Sequence, residues 1–529
     1  MQILLLGIFL AIYLHDAVTQ VAYIDARGNT RWAEAMPSDA WPNLPGWVVV
    51  SIVLLPKTLL GIVYWQSCRL TRRQLGKPAG QRRFQRTERL TSLLPLLALL
   101  LLGVDLFCGG LRHLRVVFHN AIAIDELLLL LPTLLLVVFG WWAYYPIDRR
   151  MREAGLLRRA DEGLPVYPIW GRRQFVVAQV RHQMLLLLIP LALIMVWSEA
   201  VVLLGPSHRG LLSRTQAAWA TPIGSLTIFL FAPLVVRYLW DTVPLPDGEV
   251  RSRMIDLCRS QKVKVRELLL WRTGGGMVNA AVAGLIAPVR YILLSDALLD
   301  QVDRRAIEGV MAHELAHARK HHIFWMLLVL IVTLGLTEQA TIGVLFLVER
   351  SASPWDTSPW LTYLRDPDVQ TFIIAGPTFA LTLLVFGWVS RRVERQADVF
   401  AARYLSQTAE QPAQDEVGKP AFDAESVGAM VRALQRVADL NHIPVGRRSW
   451  RHGSIAWRQE HLNALIGQRL DRARIDRVIG RIKAATLAGV LVIGLTQAWQ
   501  LGIFDPPEPG DEARPTNRAV QPAIISDSP

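Results

Sequence analysis

His313-Glu314-Leu315-Ala316-His317 closes a polar stretch and is followed almost at once by Ile323–Val348, a run long and apolar enough to cross a bilayer. That junction decides the architecture: membrane spans deliver a polar helix that carries chemistry. The preceding Asp303-Arg304-Arg305-Ala306-Ile307-Glu308-Gly309-Val310 reads as the same helix, with Asp303 as its N-cap. His313 and His317, four residues apart, share one helical face. Two imidazole nitrogens at roughly 2.1 Å can then hold one Zn²⁺. Glu314, one residue on, falls beside the metal, where it can take a proton from water as general base and return it to the leaving amine. The plainer alternative for these residues alone is a surface helix with two solvated histidines.

Outward from this motif, the apolar runs are Ile3–Leu14, Gly46–Gln66, Ser92–Phe107, Leu127–Pro146, Met184–Leu204, Trp219–Leu239, Ile323–Val348, Thr371–Ser390 and Ala484–Phe504. They predict a mainly α, multi-pass membrane protein of about nine spans. The first run is short, but with no basic residues before it and no small-residue cleavage site after it, it reads as an uncleaved anchor. Composition agrees: 52% of the 529 residues are hydrophobic and 19% charged, which excludes a disordered or collagen-like chain. Three scattered cysteines, Cys68, Cys108 and Cys258, exclude a disulfide framework or a cysteine zinc site.

The formal charge of +13 does not indicate a nucleic-acid partner, because the positives gather in short loops between apolar runs. Eight Lys/Arg and one acid lie between Arg69 and Arg89, and the stretch from Ile147 to Gln183 is equally arginine-rich. Both loops are expected on the cytoplasmic side of the cell membrane. The domain layout follows: an N-terminal transmembrane region of about six spans (1–240), a cytoplasmic segment with the histidine helix (241–322) and two spans (323–390). A second cytoplasmic segment (391–483), a last span (484–504) and a disordered, acidic, proline-rich tail (505–529) complete it.

A third zinc ligand should come from the same side of the membrane. Glu394 and Asp398, in Arg392-Val393-Glu394-Arg395-Gln396-Ala397-Asp398, emerge two spans after the histidine motif and share a helical face. Glu394 is the expected ligand and Asp398 the group that orients a ligand histidine. A solvated charged face is the alternative; the shared topology favours the ligand. Ionisable residues inside or near the spans, Lys57, Asp105, Glu199 and Glu338, are candidates to face a water-filled interior, Glu338 foremost; Lys57 could instead snorkel to the surface.

The HELAH motif followed two spans later by Glu394 and Asp398 resembles the integral-membrane HExxH zinc metallopeptidases, the family of the CAAX prenyl endopeptidases and HtpX. Val278-Asn279-Ala280-Ala281-Val282-Ala283-Gly284 and Tyr291–Leu299 are similar to that family's Asn-Ala strand and the segment after it. The resemblance implies a zincin-like catalytic region with a small β-hairpin or edge strand, along which Asn279 helps bind an extended substrate. His452 and Arg458 are similar to a His-Pro…Arg element beside the active site, with Gly453 in the usual place of proline. It implies that His452 stabilises the oxyanion and Arg458 organises carboxylates. The implied activity is a zinc metalloendopeptidase with one Zn²⁺ per chain, acting on protein or peptide substrates at the lipid bilayer; substrate identity and oligomeric state stay open. The alternatives are a zinc-dependent sensor-transducer, whose third-ligand motif usually has Cys where Ala397 stands, or a non-proteolytic scaffold or receptor.

Overall fold

A computed structural model describes residues 20–24, 30–34 and 45–500, apart from 76–79, 109, 119–123, 162, 164–165, 207–208, 276, 352–357, 359, 362–363, 365–366, 411–412, 416–417 and 442. The expected span Ile3–Leu14 and the tail after Phe504 fall outside these residues. Near the N-terminus β1 (Gln20–Ile24) pairs antiparallel with β2 (Thr30–Glu34).

Long apolar helices follow: α1 (Gly46–Gln74), α2 (Gly80–Phe107), the short α3 (Gly110–Phe118) and α4 (Ile124–Asp161). Next come α5 (Arg172–Gln179), a π-helical turn at Val180–Leu185, α6 (Leu186–Leu204) and α7 (Arg214–Leu239). Among the described residues six helices are long and apolar enough to cross a membrane, or seven if the pair bent by 44° around the π turn counts as one span. An inserted π turn leaves the regular i→i−4 ladder and accounts for the bend. Of the expected nine, Ile3–Leu14 lies outside the described residues, and Thr371–Ser390 lies on a single 41-residue helix that runs on into the polar region.

The polar region is larger than a hairpin. It holds β3 (Thr242–Pro244), α8 (Glu249–Ser260), β4 (Glu267–Trp271), β5 (Ala280–Ala283), β6 (Tyr291–Ser295) and α9 (Asp296–Gln301). The strands form one mixed sheet in the order β3-β4-β6-β5. β6 pairs parallel with β4 and antiparallel with β5, and all five of its residues are buried, as suits a central strand of Tyr, Ile and Leu. β5 is therefore an edge strand. It ends at Gly284, whose φ of +105° and 2.2 Å approach of a would-be Cβ to the Val289 carbonyl oxygen admit only glycine. The buried Arg290 ties the following turn by donating to the carbonyls of Gly284, Leu285 and Lys264.

After the sheet come α10 (Arg304–Arg319), α11 (His322–Ser351), α12 (Pro367–Gln407), α13 (Ala424–Leu440), α14 (Ile455–Asn463) and α15 (Arg474–Gln500). Asp303 caps α10 as expected, accepting from the Ala306 N–H at 2.9 Å. One hydrophobic core joins the stretches on either side of the α11–α12 pair: Leu294, Met311 and Leu315 pack with Leu405, Met430 and Leu462. Met311 and Leu315 are fully buried, so truncating either to alanine should cost about 2–5 kcal/mol.

The intramembrane ionisable residues differ in burial. Glu338 is exposed on α11 and Glu199 is half-buried. Lys57 does not snorkel: it is buried on α1 and donates to Asp105 of α2 at 2.5 Å. Its four-carbon stem is shorter than the distance to either helix end, so a partner at the same depth satisfies it instead.

Candidate metal centre

α10 and α12 pack side by side, and each brings one (i, i+4) pair to the contact. His313 and His317 face Glu394 and Asp398. The two histidine Nε2 atoms stand 3.4 Å apart, and the Glu394 carboxylate oxygens lie 3.5 Å from His313 Nε2 and 3.9 Å from His317 Nε2. Ligands about 2.1 Å from a tetrahedral zinc lie about 3.4 Å from one another. The three donor atoms thus stand at the mutual spacing of co-ligands, and their chemistry, two imidazoles and a carboxylate, suits Zn²⁺. No other group of three or more such residues among the described residues converges in this way.

The electrostatics favour a cation. His317 loses its proton readily, its pKa lowered to about 3 chiefly by burial, so the ring keeps a free lone pair. Burial works against the charged form of His313 too, but its hydrogen bonds to the Asp398 and Glu394 carboxylates outweigh it and push its pKa up to about 10, the mark of a strongly basic nitrogen. Burial also opposes ionisation of Glu394, yet His313, His452 and Arg458 together hold it well below the usual carboxylate range. The Glu314 carboxyl, half-buried beside this group, is raised to about 7, mainly by desolvation.

Asp398 is fully buried and places Oδ1 2.9 Å from His313 Nδ1. Arg458, near the start of α14, grips the same carboxylate with two hydrogen bonds, Nε to Oδ2 at 2.8 Å and Nη2 to Oδ1 at 2.6 Å. A carboxylate held this way fixes the ring of the histidine it touches. Arg458 Nη1 also lies 3.7 Å from Glu394, so the guanidinium contacts both carboxylates.

His452 is half exposed, with Nδ1 3.0 Å from Glu394 Oε1. It reaches that place from a tight turn in which Ser449 and Gly453 exchange backbone hydrogen bonds. Gly453 has φ of +77°. Proline, locked near −65°, cannot adopt it, which explains the departure from the His-Pro pattern. The turn is latched to α12 by Arg391, whose Nη1 donates to the Trp450 carbonyl at 2.8 Å, and by Trp450 stacked on Phe386.

Asn279 immediately precedes β5 with its side chain exposed, while its backbone exchanges hydrogen bonds with Ser295. Further along β5, the Val282 backbone lies close enough to the Glu314 carboxyl to favour its charged form, so the sheet edge runs beside that group. Asn441, at the end of α13, anchors the approach to the strand by exchanging two hydrogen bonds with the Val278 backbone, at 3.0 and 2.8 Å. Asn441 carried no signal in the sequence. Neither did Gln396, although it lies between Glu394 and Asp398. Its Oε1 accepts from His322, whose Nδ1 lies 3.1 Å from Nδ1 of His317.

Comparisons with known proteins bear on part of the chain. Residues 244–419 match the model of peptidase family M48. Over 191 residues, 34% of the chain, the sequence is 30% identical to a CAAX prenyl protease 1 homolog of Arabidopsis thaliana, covering 42% of that protein. Over 154 residues, 28% of the chain, it is 27% identical to a protease HtpX homolog of Bacteroides fragilis, covering 45% of it. The chain thus spans less than half the length of these relatives. The crystal structure of S. mikatae Ste24p aligns over 80% of this chain and 99% of its own, at 14% identity and a TM-score of 0.46. Residues 244–419 of this chain thus match peptidase family M48, and part of the chain is similar in sequence to CAAX prenyl protease 1 and HtpX homologs.

Proposed function

We propose that the protein is a membrane-embedded zinc metalloendopeptidase that cleaves peptide bonds of membrane-associated, misfolded or regulatory proteins. The observation that carries this reading is the convergence of His313, His317 and Glu394 with Glu314 beside them. His313, His317 and Glu394 hold one Zn²⁺ per chain. Bound there, the metal would supply Lewis acidity toward the scissile carbonyl and the attacking water. Glu314 takes the proton from that water and delivers it to the leaving amine; desolvation, which disfavours its charged form, makes it a stronger base. Asp398, gripped by Arg458, holds the His313 ring. His452, at the open side of Glu394, donates toward the oxygen on which negative charge develops.

Asn279 and the free edge of β5 bind the substrate as an added strand, which selects an extended backbone more than a particular side chain. The segments 241–322 and 391–483 act as one catalytic body through their shared core, with 1–240, 323–390 and 484–504 as membrane regions. A cytoplasmic location at the cell membrane is supported by the cations that stack on aromatic rings at the ends of the apolar runs: Arg69 on Trp65, Arg172 on Trp142, Arg392 on Trp388 and Lys483 on Trp325. Such pairs suit the headgroup layer on the positive-inside face.

The test is zinc content and cleavage of an unfolded casein-like substrate by purified wild type, Glu394→Ala and Glu314→Gln. The expected pattern is one zinc per wild-type chain with cleavage, loss of zinc in Glu394→Ala, and retained zinc without cleavage in Glu314→Gln. Full zinc in Glu394→Ala removes that ligand from the assignment. Zinc-loaded wild type that cleaves nothing shifts the reading toward the sensor or scaffold alternative.

A further inference from the structure

The two ligand histidines are supported in different ways. His313 leans on an ion pair directly, through Asp398 and Arg458. His317 has no carboxylate against its Nδ1. Its neighbour there is His322 Nδ1, at 3.1 Å, on the first turn of α11. His322 Nε2 meets Gln396 Oε1 at 2.9 Å; Gln396 Nε2 donates to Asp476 Oδ1 at 2.6 Å; Arg403 Nη2 donates to Asp476 Oδ2 at 2.8 Å. His322 and Gln396 are almost fully buried, at 1% and 4% exposure, so water does not replace these contacts.

The chain of bonds has a forced direction. A carboxylate only accepts, so Gln396 turns its NH₂ to Asp476 and its oxygen to His322. His322 must then donate from Nε2, which makes Nδ1 of the neutral ring an acceptor. His317 accordingly donates from Nδ1, and its Nε2, the atom 3.4 Å from His313 Nε2, is left with a bare lone pair.

The geometry points to His322, Gln396 and Asp476 as a positioning relay that fixes the tautomer and orientation of His317 and makes the first turn of α15 part of the metal centre. Each ligand histidine then ends on a carboxylate–arginine pair, Asp398–Arg458 for one and Asp476–Arg403 for the other. The last long apolar helix, which the sequence presents only as a further span, gains a role as the far anchor of a ligand. This inference rests on the metal-centre reading above.

The test uses the full-length protein in detergent and reads zinc affinity against a competing chelator together with the visible spectrum of the cobalt-substituted site. Gln396→Met removes both amide hydrogen bonds at similar volume without touching a ligand. His322→Phe removes the ring nitrogens, and His322→Gln restores one acceptor and one donor. Gln396→Met and His322→Phe are each expected to weaken zinc binding about 10- to 100-fold and to shift the cobalt bands. The double variant should be no weaker than the worse single, because one chain is broken once, and His322→Gln should recover most of the loss. The inference is overturned if Gln396→Met binds zinc like wild type with an unchanged cobalt spectrum, if the two losses multiply, or if the variants only melt at lower temperature. A wild type that takes up neither zinc nor cobalt overturns the metal-centre reading itself, a distinct result.

Discussion

The helical bundle of α1, α2 and α4 and the catalytic body around α10 and α12 both bury polar side chains, but they do opposite things with them. In the bundle the polar groups pair among themselves. Lys57 meets Asp105, Thr71 and Ser67 meet Thr87, and the Tyr64 hydroxyl meets Thr91, the hydroxyl contacts each at 2.8 Å. In the catalytic body the charged groups Asp398 and Arg458 pair with each other so that His313, His317 and Glu394 can aim their remaining lone pairs at one point. A closed set of hydrogen bonds specifies which helix packs where. An open set, held from behind, has capacity left for a ligand. Burial alone therefore does not distinguish a structural polar cluster from a functional one; the direction of the unused lone pairs does.

The largest effect should follow from breaking the open set at its reactive member. Glu314→Gln keeps an acceptor beside Val282 but no base, so cleavage should fall about 10²- to 10⁴-fold with metal content unchanged; a variant with near wild-type turnover assigns the base elsewhere. Breaking the closed set should instead cost stability. Lys57→Met leaves Asp105 buried without its cation and should destabilise the bundle by about 3–5 kcal/mol, read by thermal unfolding in detergent. Replacing Lys57 and Asp105 together with apolar residues should recover most of that loss. Zinc affinity in the folded fraction should not move, and a change there would mean the two regions are coupled.

A smaller effect is expected behind the ligands. Asp398→Asn retains shape but loses charge, and should weaken zinc binding about 10- to 100-fold in chelator competition. Smallest is Asp303→Ala, which removes the α10 cap and should cost about 1 kcal/mol of stability with metal affinity intact. A large fall in affinity from this variant would show that the N-terminus of α10 governs the histidine spacing.

Much of the site was legible in the chain because helical periodicity is local. Four-residue spacing sets His313 beside His317 and Glu394 beside Asp398 whatever surrounds them, and the hydropathy of the runs between brings both pairs to one side of a bilayer. The Asp303 cap was readable for the same reason. The sheet was less so: β5 and β6 are near neighbours, but β4 joins β6 in parallel across an intervening strand, and the alternation of residues does not reveal which strand is the edge. Lys57 and Asp105 were visible as costly residues, while their pairing, 48 positions apart, was not.

What the sequence by itself determined is therefore the class of protein and which candidate ligands share a helical face, since these depend on residue type and on spacings of a turn or two. What only the tertiary structure decided is how the ligands are held. Arg458 finds Asp398 across 60 residues, Gln396 finds His322 across 74 and Asp476 across 80, and Asn441 finds the Val278 backbone across 163. Hydrogen bonds act over about 3 Å, and no local rule along the chain relates such positions. Only the packing of α10, α11, α12 and α15 brings them within reach.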